Sequence, residues 1–173
     1  MPTTYFCTTQ YLRTNTNIGN SVDENTITPL VKTTAEMWSR SILGTYFFNY
    51  LLTKFNAQTL NADETTLVAN YLKPAIAWKT AADVTVNQSL LLRNKGVQTQ
   101  SGDFSAASDF KAMAFIQRTS FEKGSFYENL LFEYLKENRA LYPQFESPLN
   151  TDSTAKEACN GNTSGFQSNI LFI

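Results

Sequence analysis

Apolar residues recur at helical spacing through the middle of the chain. Between residues 27 and 42, mostly large apolar residues recur at helical spacing, at Ile27, Leu30, Val31, Thr34, Trp38 and Ile42. This spacing predicts one amphipathic helix, with Pro29 close to its start. Gly44 interrupts the pattern, and Phe47, Phe48 and Leu51 resume it in the segment TYFFNYLLTKF. We therefore expect two core helices separated at Gly44, both packed through aromatic side chains.

A further helix is predicted to begin at Asn61, because Asn61 and Glu64 have the spacing of a capping box. Its apolar face is formed by Leu67, Val68, Tyr71, Leu72 and Ile76, with Lys79 as a possible member. Pro74 lies inside this pattern, so we expect a kink or a break just before it. The acidic pairs Asp23/Glu24 and Asp63/Glu64 are expected to be solvated first turns, favoured by the helix dipole.

The last long helix is predicted to start near Ser105 or Ser108 and to end about Leu141, before Pro143. One near-heptad stripe marks its buried face: Met113, Ile116, Ser120, Gly124, Tyr127, Leu131 and Leu135. Glycine inside a helix costs roughly 1 kcal/mol relative to alanine. We therefore expect another helix to pass close to Gly124, since a close approach would offset that cost.

The two ends of the chain are polar. Thr3, Tyr5, Cys7, Thr9 and Tyr11 alternate with their neighbours, which predicts either a short strand or a frayed terminus. From Glu146 onward the chain is rich in Ser, Thr, Asn and Gly, as in an extended arm. The arm has an apolar tip, formed by Phe166, Ile170, Leu171, Phe172 and Ile173. Such a tip docks either on its own body or on a partner, and we expect it to be buried in another chain.

These patterns predict a mainly α-helical protein, a small bundle of about four to five helices with an extended arm at each end and at most a short β element. The expected division is an N-terminal arm over residues 1–21, a helical body over 22–145 and a C-terminal arm over 146–173.

Composition narrows the possible functions. The chain has 173 residues, of which 42% are hydrophobic, and its formal net charge is −1. Histidine is absent, which removes the commonest general base and most zinc chemistry, so we expect no enzyme, no cofactor and no metal. Cys7 and Cys159 are far apart in the sequence, and we expect both to be reduced thiols. No run of apolar residues is long enough to cross a membrane, and no signal peptide is recognisable. We therefore expect the chain to fold inside a cell.

The segment LRNKGVQTQSGDFS raises the question of a phosphate-binding loop. That motif needs clustered glycines and then Lys-Ser or Lys-Thr at a helix start, whereas Lys95 precedes Gly96 and follows a helical pattern. We instead expect the helix to end near Leu92, with Gly96 as its C-terminal residue, and a contact loop to follow. The candidate contact residues are Arg93, Asn94, Lys95, Gln98 and Gln100.

Several segments resemble a known family. The telling ones are ILGT (Ile42–Thr45), YLKPAIAW (Tyr71–Trp78) and RNKGVQTQS (Arg93–Ser101). In this order they resemble head-to-tail connector proteins of tailed phages, particularly the portal-associated ring proteins of crAss-like phages. The resemblance covers roughly Val22–Phe145 and, weakly, SGFQSNILF; the first twenty residues match no pattern of that family.

The resemblance implies a viral structural protein of the virion neck, assembled in the host cytoplasm and located at the portal vertex. It implies a homo-oligomeric ring of twelve copies that contacts the portal protein and further neck or tail ring proteins. Genomic DNA would pass through the ring without sequence-specific binding. Two alternatives stay open: a small helical enzyme of nucleotide or nucleic-acid metabolism, and a phage assembly factor that forms no ring.

Overall fold

The computed structural model describes residues 4–93, 96–99 and 110–159, with side chains described outside residues 89–110 and Cys159. The helices before the hairpin are α1 Thr9–Asn15, α2 Glu24–Thr34, α3 Arg40–Leu43, α4 Thr45–Asn56, α5 Ala62–Leu67 and α6 Lys73–Ser89. A hairpin of β1 Leu90–Arg93 and β2 Gly96–Thr99 follows. The chain continues with α7 Phe110–Glu137, α8 Pro143–Glu146 and α9 Thr154–Cys159. The mainly α-helical class predicted from sequence is confirmed.

The N-terminal segment forms a helix where the alternation of residues predicted a strand. Thr8 caps α1, because its hydroxyl accepts a hydrogen bond from the Tyr11 N–H at 3.2 Å. Phe6 and Leu12 are fully buried, and the Phe6 ring packs edge-on against Phe48 at 5.6 Å. The expectation of a strand or a frayed terminus was wrong here, because the hydroxyl cap and these buried side chains hold the segment on the body.

The aromatic segment of α4 forms the centre of the core, as predicted. Phe47, Phe48 and Leu51 are fully buried, and Phe47 packs against the rings of Tyr142 and Phe145. Gly44 separates α3 from α4 with a φ of 81°, a conformation that favours glycine. A Cβ at this position would overlap the side chain of Asn150. The break at Gly44 therefore has both a backbone and a packing cause.

Two π-helical turns interrupt the long helical segments. Ala35–Ser39 joins α2 to α3, and Val68–Leu72 joins α5 to α6. Pro74 is the second residue of α6, so its missing N–H falls immediately after the second π turn. The predicted kink or break before Pro74 is thus present as a π turn. Pro29, in contrast, lies inside α2 and not at its start.

Helices α6 and α7 form an antiparallel pair. Tyr71, in the π turn just before α6, stacks on Tyr134 in α7 with ring centroids 4.3 Å apart. Trp78 lies further along α6 and contacts Lys123, which comes earlier in α7 than Tyr134. A Cβ added to Gly124 would lie 2.5 Å from Lys79 Cγ and 3.0 Å from the Lys79 backbone nitrogen. The predicted close approach at Gly124 is confirmed, and the neighbour is α6.

The segment after α6 is a β-hairpin, not the predicted helix end and loop. Helix α6 ends at Ser89, and β1 pairs antiparallel with β2 in the register Leu90 to Thr99 and Arg93 to Gly96. Gly96 therefore begins a strand instead of ending a helix. The run of three leucines and Val97 suits paired strands as well as a helix turn, and a run this short cannot be assigned by periodicity.

Part of the predicted C-terminal arm is packed on the body. Asn150 is fully buried; its amide donates hydrogen bonds to the carbonyls of Leu43 at 2.8 Å and Phe145 at 3.0 Å. The Ser153 hydroxyl, also buried, donates to the Ile42 carbonyl at 2.5 Å. The extended-arm prediction was wrong for residues 146–159, because polar side chains here satisfy the backbone at the Gly44 break. Residues 160–173 lie outside the described residues.

Candidate interaction surface

The outer face of α7 carries large apolar side chains that no described element covers. Phe115 is 69% exposed and Phe126 58% exposed, and Leu130 is also exposed. These three positions fall within about 60° of one another on a helix of 3.6 residues per turn. Over the 15 residues from Phe115 to Leu130 they extend about 22 Å along the helix. We call Phe115, Phe126 and Leu130 the outer stripe.

A groove between α6 and α7 continues the outer stripe on one side. It is open to solvent, encloses about 490 Å³, and is lined by Trp78, Thr119, Glu122, Lys123, Phe126 and Tyr127. The Lys123 ammonium lies 4.1 Å from the centroid of the Trp78 ring, a cation–π contact. Phe126 and Tyr127 meet edge to face at 5.5 Å. The groove is therefore lined by three aromatic rings and by two opposite charges, Glu122 and Lys123.

A buried ion pair attaches α7 to the body beneath this surface. Lys79 is 3% exposed and forms an ion pair with Glu128. Its ammonium also lies 3.9 Å from the centroid of the Trp38 ring and 4.7 Å from that of Phe121. Burying a charge is costly unless it is paired, so these contacts fix the position of α7 against α6 and the first π turn. The interaction surface is thus presented on a rigidly held helix.

A second ion pair stabilises the start of α5. Lys54 donates to Glu64 Oε2 at 2.6 Å, Tyr50 donates its hydroxyl hydrogen to Oε1 at 2.8 Å, and the Asn61 N–H completes the capping box. Burial alone would raise the pKa of Glu64, but the hydrogen bonds from Lys54, Asn61 and Tyr50 outweigh it and lower that pKa below its usual value. The expectation that Glu64 is a solvated carboxylate was wrong, because its side chain closes the cap inward.

Comparison with known protein families identifies one that matches most of this chain. The model of the Family of unknown function (DUF6712) matches residues 40–155, about two thirds of the sequence. The chain belongs to this family. No curated protein and no solved structure matches it. The matched span of DUF6712 begins at α3 and ends inside α9, and it includes all of α7 with the outer stripe.

The contact residues predicted from sequence fall mostly outside the described part of this DUF6712 member. Arg93 is the last residue of β1 and Gln98 lies in β2, where the hairpin places Gln98 opposite Leu91. Asn94, Lys95 and Gln100 lie outside the described residues, as do the five residues of the apolar tip: Phe166, Ile170, Leu171, Phe172 and Ile173. Their roles in contacts stay predictions.

Sequence reasoning did not identify the outer stripe. It placed Ile116 on the buried face of α7, but Ile116 is exposed, because the first turns of α7 extend past the elements that the structure describes. Phe115 and Phe126 lie nearly opposite the predicted buried face. Two phenylalanines out of register with the core stripe were the available signal, since a solvent-facing helix side is normally polar.

Within the described ranges, no group of three or more His, Cys, Asp or Glu residues could hold a metal ion. In the same part of the chain, no helix has the length and hydropathy needed to cross a membrane. Cys7 is a free, buried thiol, and burial raises its pKa to about 12. A thiol with that pKa is not a nucleophile at neutral pH.

Proposed function

We propose that this protein is a head-to-tail connector of a tailed phage, a ring of identical copies that joins the portal to the tail. The observation that carries the proposal is the outer stripe of α7. Monomers rarely expose rows of large apolar side chains, and a row on a long, firmly packed helix is typical of a protein–protein interface. The resemblance of the ILGT, YLKPAIAW and RNKGVQTQS segments to connector ring proteins gives the class of assembly.

The shape of α7 favours repeated assembly. Its first turns, up to Arg118, are exposed nearly all round, whereas Ser120, Gly124, Leu131 and Leu135 are buried against the body. One end of the helix is therefore anchored and the other projects toward a potential neighbour. A ring closes when the surface that each copy offers fits a different surface on the next copy.

The charge of the chain suits a channel for DNA. A formal net charge of −1 gives no general attraction for a polyanion, so DNA could pass through the ring without binding to it. In this proposal the ring extends the DNA channel beneath the portal. Portal, tail components and DNA are its partners at the neck of the virion, and twelve copies complete the ring.

Quantitative mass spectrometry of purified particles of the virus that encodes this chain tests the proposal. We expect the chain in mature particles at one copy for each portal subunit. Complete absence of the chain from purified particles, with the portal readily detected, would contradict it. A non-ring assembly factor gives that second result, since such a factor leaves before the particle matures.

A further inference from the structure

We infer that the outer stripe and the groove beside it bind the apolar tip, residues 166–173, of a neighbouring copy of this chain. The inference rests on the proposed function for the choice of a neighbour, and it adds the surface that receives the tip. The tip itself is Phe166, Ile170, Leu171, Phe172 and Ile173 within a segment of small polar residues.

The segment that carries the tip matches the outer stripe in chemistry. Residues 160–173 contain no Asp, Glu, Lys or Arg. The outer stripe is likewise uncharged, and the charged side chains of α7 between Phe115 and Leu130 already have partners: Arg118 pairs with Glu122 at 2.8 Å, Lys123 covers Trp78, and Glu128 pairs with Lys79. An uncharged apolar segment can cover such a surface without leaving a charge unpaired.

The position of α9 also favours contact between neighbouring copies. Helix α9, which precedes the tip, packs against α3 and α7. It does so without covering Phe115, Phe126 or Leu130, which stay exposed. At the end of α9 the chain is therefore beside α7, and α9 does not cover the outer stripe of its own copy. This arrangement provides two unlike surfaces on one chain, a segment to offer and a stripe to receive it, as a repeated head-to-tail contact requires.

The sequence after α9 is long enough to reach a neighbouring copy. Fourteen residues, 160–173, follow the end of α9. At about 3.3 Å for each extended residue they can span up to about 46 Å, enough to cross from one small domain to the next. The stripe is about 22 Å long, so the five apolar residues of the tip can lie along much of it.

Photo-crosslinking of the full-length chain tests the inference. The photoreactive residue p-benzoylphenylalanine is placed at position 172, and protein grown in ¹⁵N medium is mixed with unlabelled protein at the highest soluble concentration. We expect crosslinks that join a heavy chain to a light chain and map to residues 112–130 of α7. Crosslinks confined to single chains, crosslinks to other elements, or no mixed crosslinks at all would each overturn the inference.

A matched pair of variants adds specificity. Phe126→Glu, on the stripe, should reduce the mixed crosslinks about tenfold or more, because the new carboxylate would have to be desolvated beneath an apolar segment. Met37→Glu places the same charge on another exposed apolar residue, 62% exposed and outside the stripe, and should leave the yield unchanged. Equal loss in both variants would also overturn the inference.

The outcomes separate this inference from the proposed function. If the chain is missing from virus particles but mixed crosslinks still map to α7, the connector role fails and the exchange of tips between copies stands. If the chain is present in particles but position 172 crosslinks only within its own copy, the connector role stands and the docking inference fails.

Discussion

At the scale of single residues, Gly124 shows how close α6 and α7 are. We predict that Gly124→Ala lowers the free energy of unfolding by about 1–2 kcal/mol net, because the new methyl group would overlap Lys79 Cγ and crowd its backbone nitrogen, at a cost of up to about 3 kcal/mol. This cost outweighs the roughly 1 kcal/mol that alanine gains in helix propensity. Urea unfolding followed by circular dichroism measures it.

The matched control for that substitution is Gly19→Ala. A Cβ at Gly19 would meet only Ser21 Oγ, at an ordinary distance of 3.7 Å. We expect its stability to stay close to that of the unmodified protein. A Gly124→Ala variant as stable as Gly19→Ala would show that the two helices can separate without cost.

The buried pair of Lys79 and Glu128 gives a second prediction. Lys79→Met leaves Glu128 largely buried without its cation, and should cost about 3 kcal/mol or more. Adding Glu128→Met to Lys79→Met should cost less than the sum of the two single changes, since neither charge is then left alone. Arg118→Met, in a solvent-exposed pair, should cost at most about 1 kcal/mol. Additive losses in the double variant would contradict the coupling, and chemical denaturation provides all four values.

Glu64 gives a prediction for the dependence of stability on pH. Folding lowers the pKa of the Glu64 carboxylate. Such a carboxylate stabilises the folded state at pH values above its unfolded-state pKa, and this stability is lost as the pH falls through the folded-state pKa. We therefore expect Glu64→Gln to be less stable than the parent at neutral pH and to lose less further stability on acidification. Glu24→Gln, which removes an exposed first-turn carboxylate, serves as the control. Parallel acid-unfolding curves for Glu64→Gln and the parent would contradict the prediction.

At the scale of elements, the packed segment of residues 147–159 depends on Asn150. An aspartate has no N–H to donate, so Asn150→Asp should leave the carbonyls of Leu43 and Phe145 without their donor. We expect faster hydrogen exchange in residues 147–159 and unchanged exchange in α6. Asn49→Asp, on the exposed side of α4, should change neither. If Asn150→Asp leaves exchange in residues 147–159 as slow as in the parent, other contacts hold this segment.

Local signals in the sequence predicted the elements whose causes are local. The capping box at Asn61 and Glu64, the break at Gly44 and the close approach at Gly124 are all confirmed, because each depends on one or two residues at fixed backbone positions. The helical spacing of α4 and the second half of α7 likewise reflects their buried faces.

Elements held by distant contacts were not predictable in the same way. The segment around Asn150 is polar, which is typical of an extended arm, yet the Asn150 amide donates to the Leu43 carbonyl, more than one hundred residues away in sequence. Helix α1 depends on packing between Phe6 and Phe48 as well as on its cap. The candidate site shows the same limit. The sequence of α7 contains the residues of the outer stripe, but only the packed structure shows which face of that helix no other described element covers.

At the scale of the whole molecule, α7 has two roles. Its inner face is fixed to the body by Gly124, Leu131 and the Lys79–Glu128 pair. Its outer face presents Phe115, Phe126 and Leu130 to solvent. An isolated monomer gains nothing from such an outer face, whereas a ring of identical copies buries it once per subunit. The connector proposal predicts that this face disappears from solvent on assembly.

A cryo-electron microscopy reconstruction of the portal vertex, from purified particles of the virus that encodes this chain, tests that claim most directly. We predict a closed ring of twelve copies between portal and tail, with Phe115, Phe126 and Leu130 of each copy covered by the next. A ring in which the outer face of α7 is exposed to solvent, or a portal vertex that contains no copy of the chain, would contradict it.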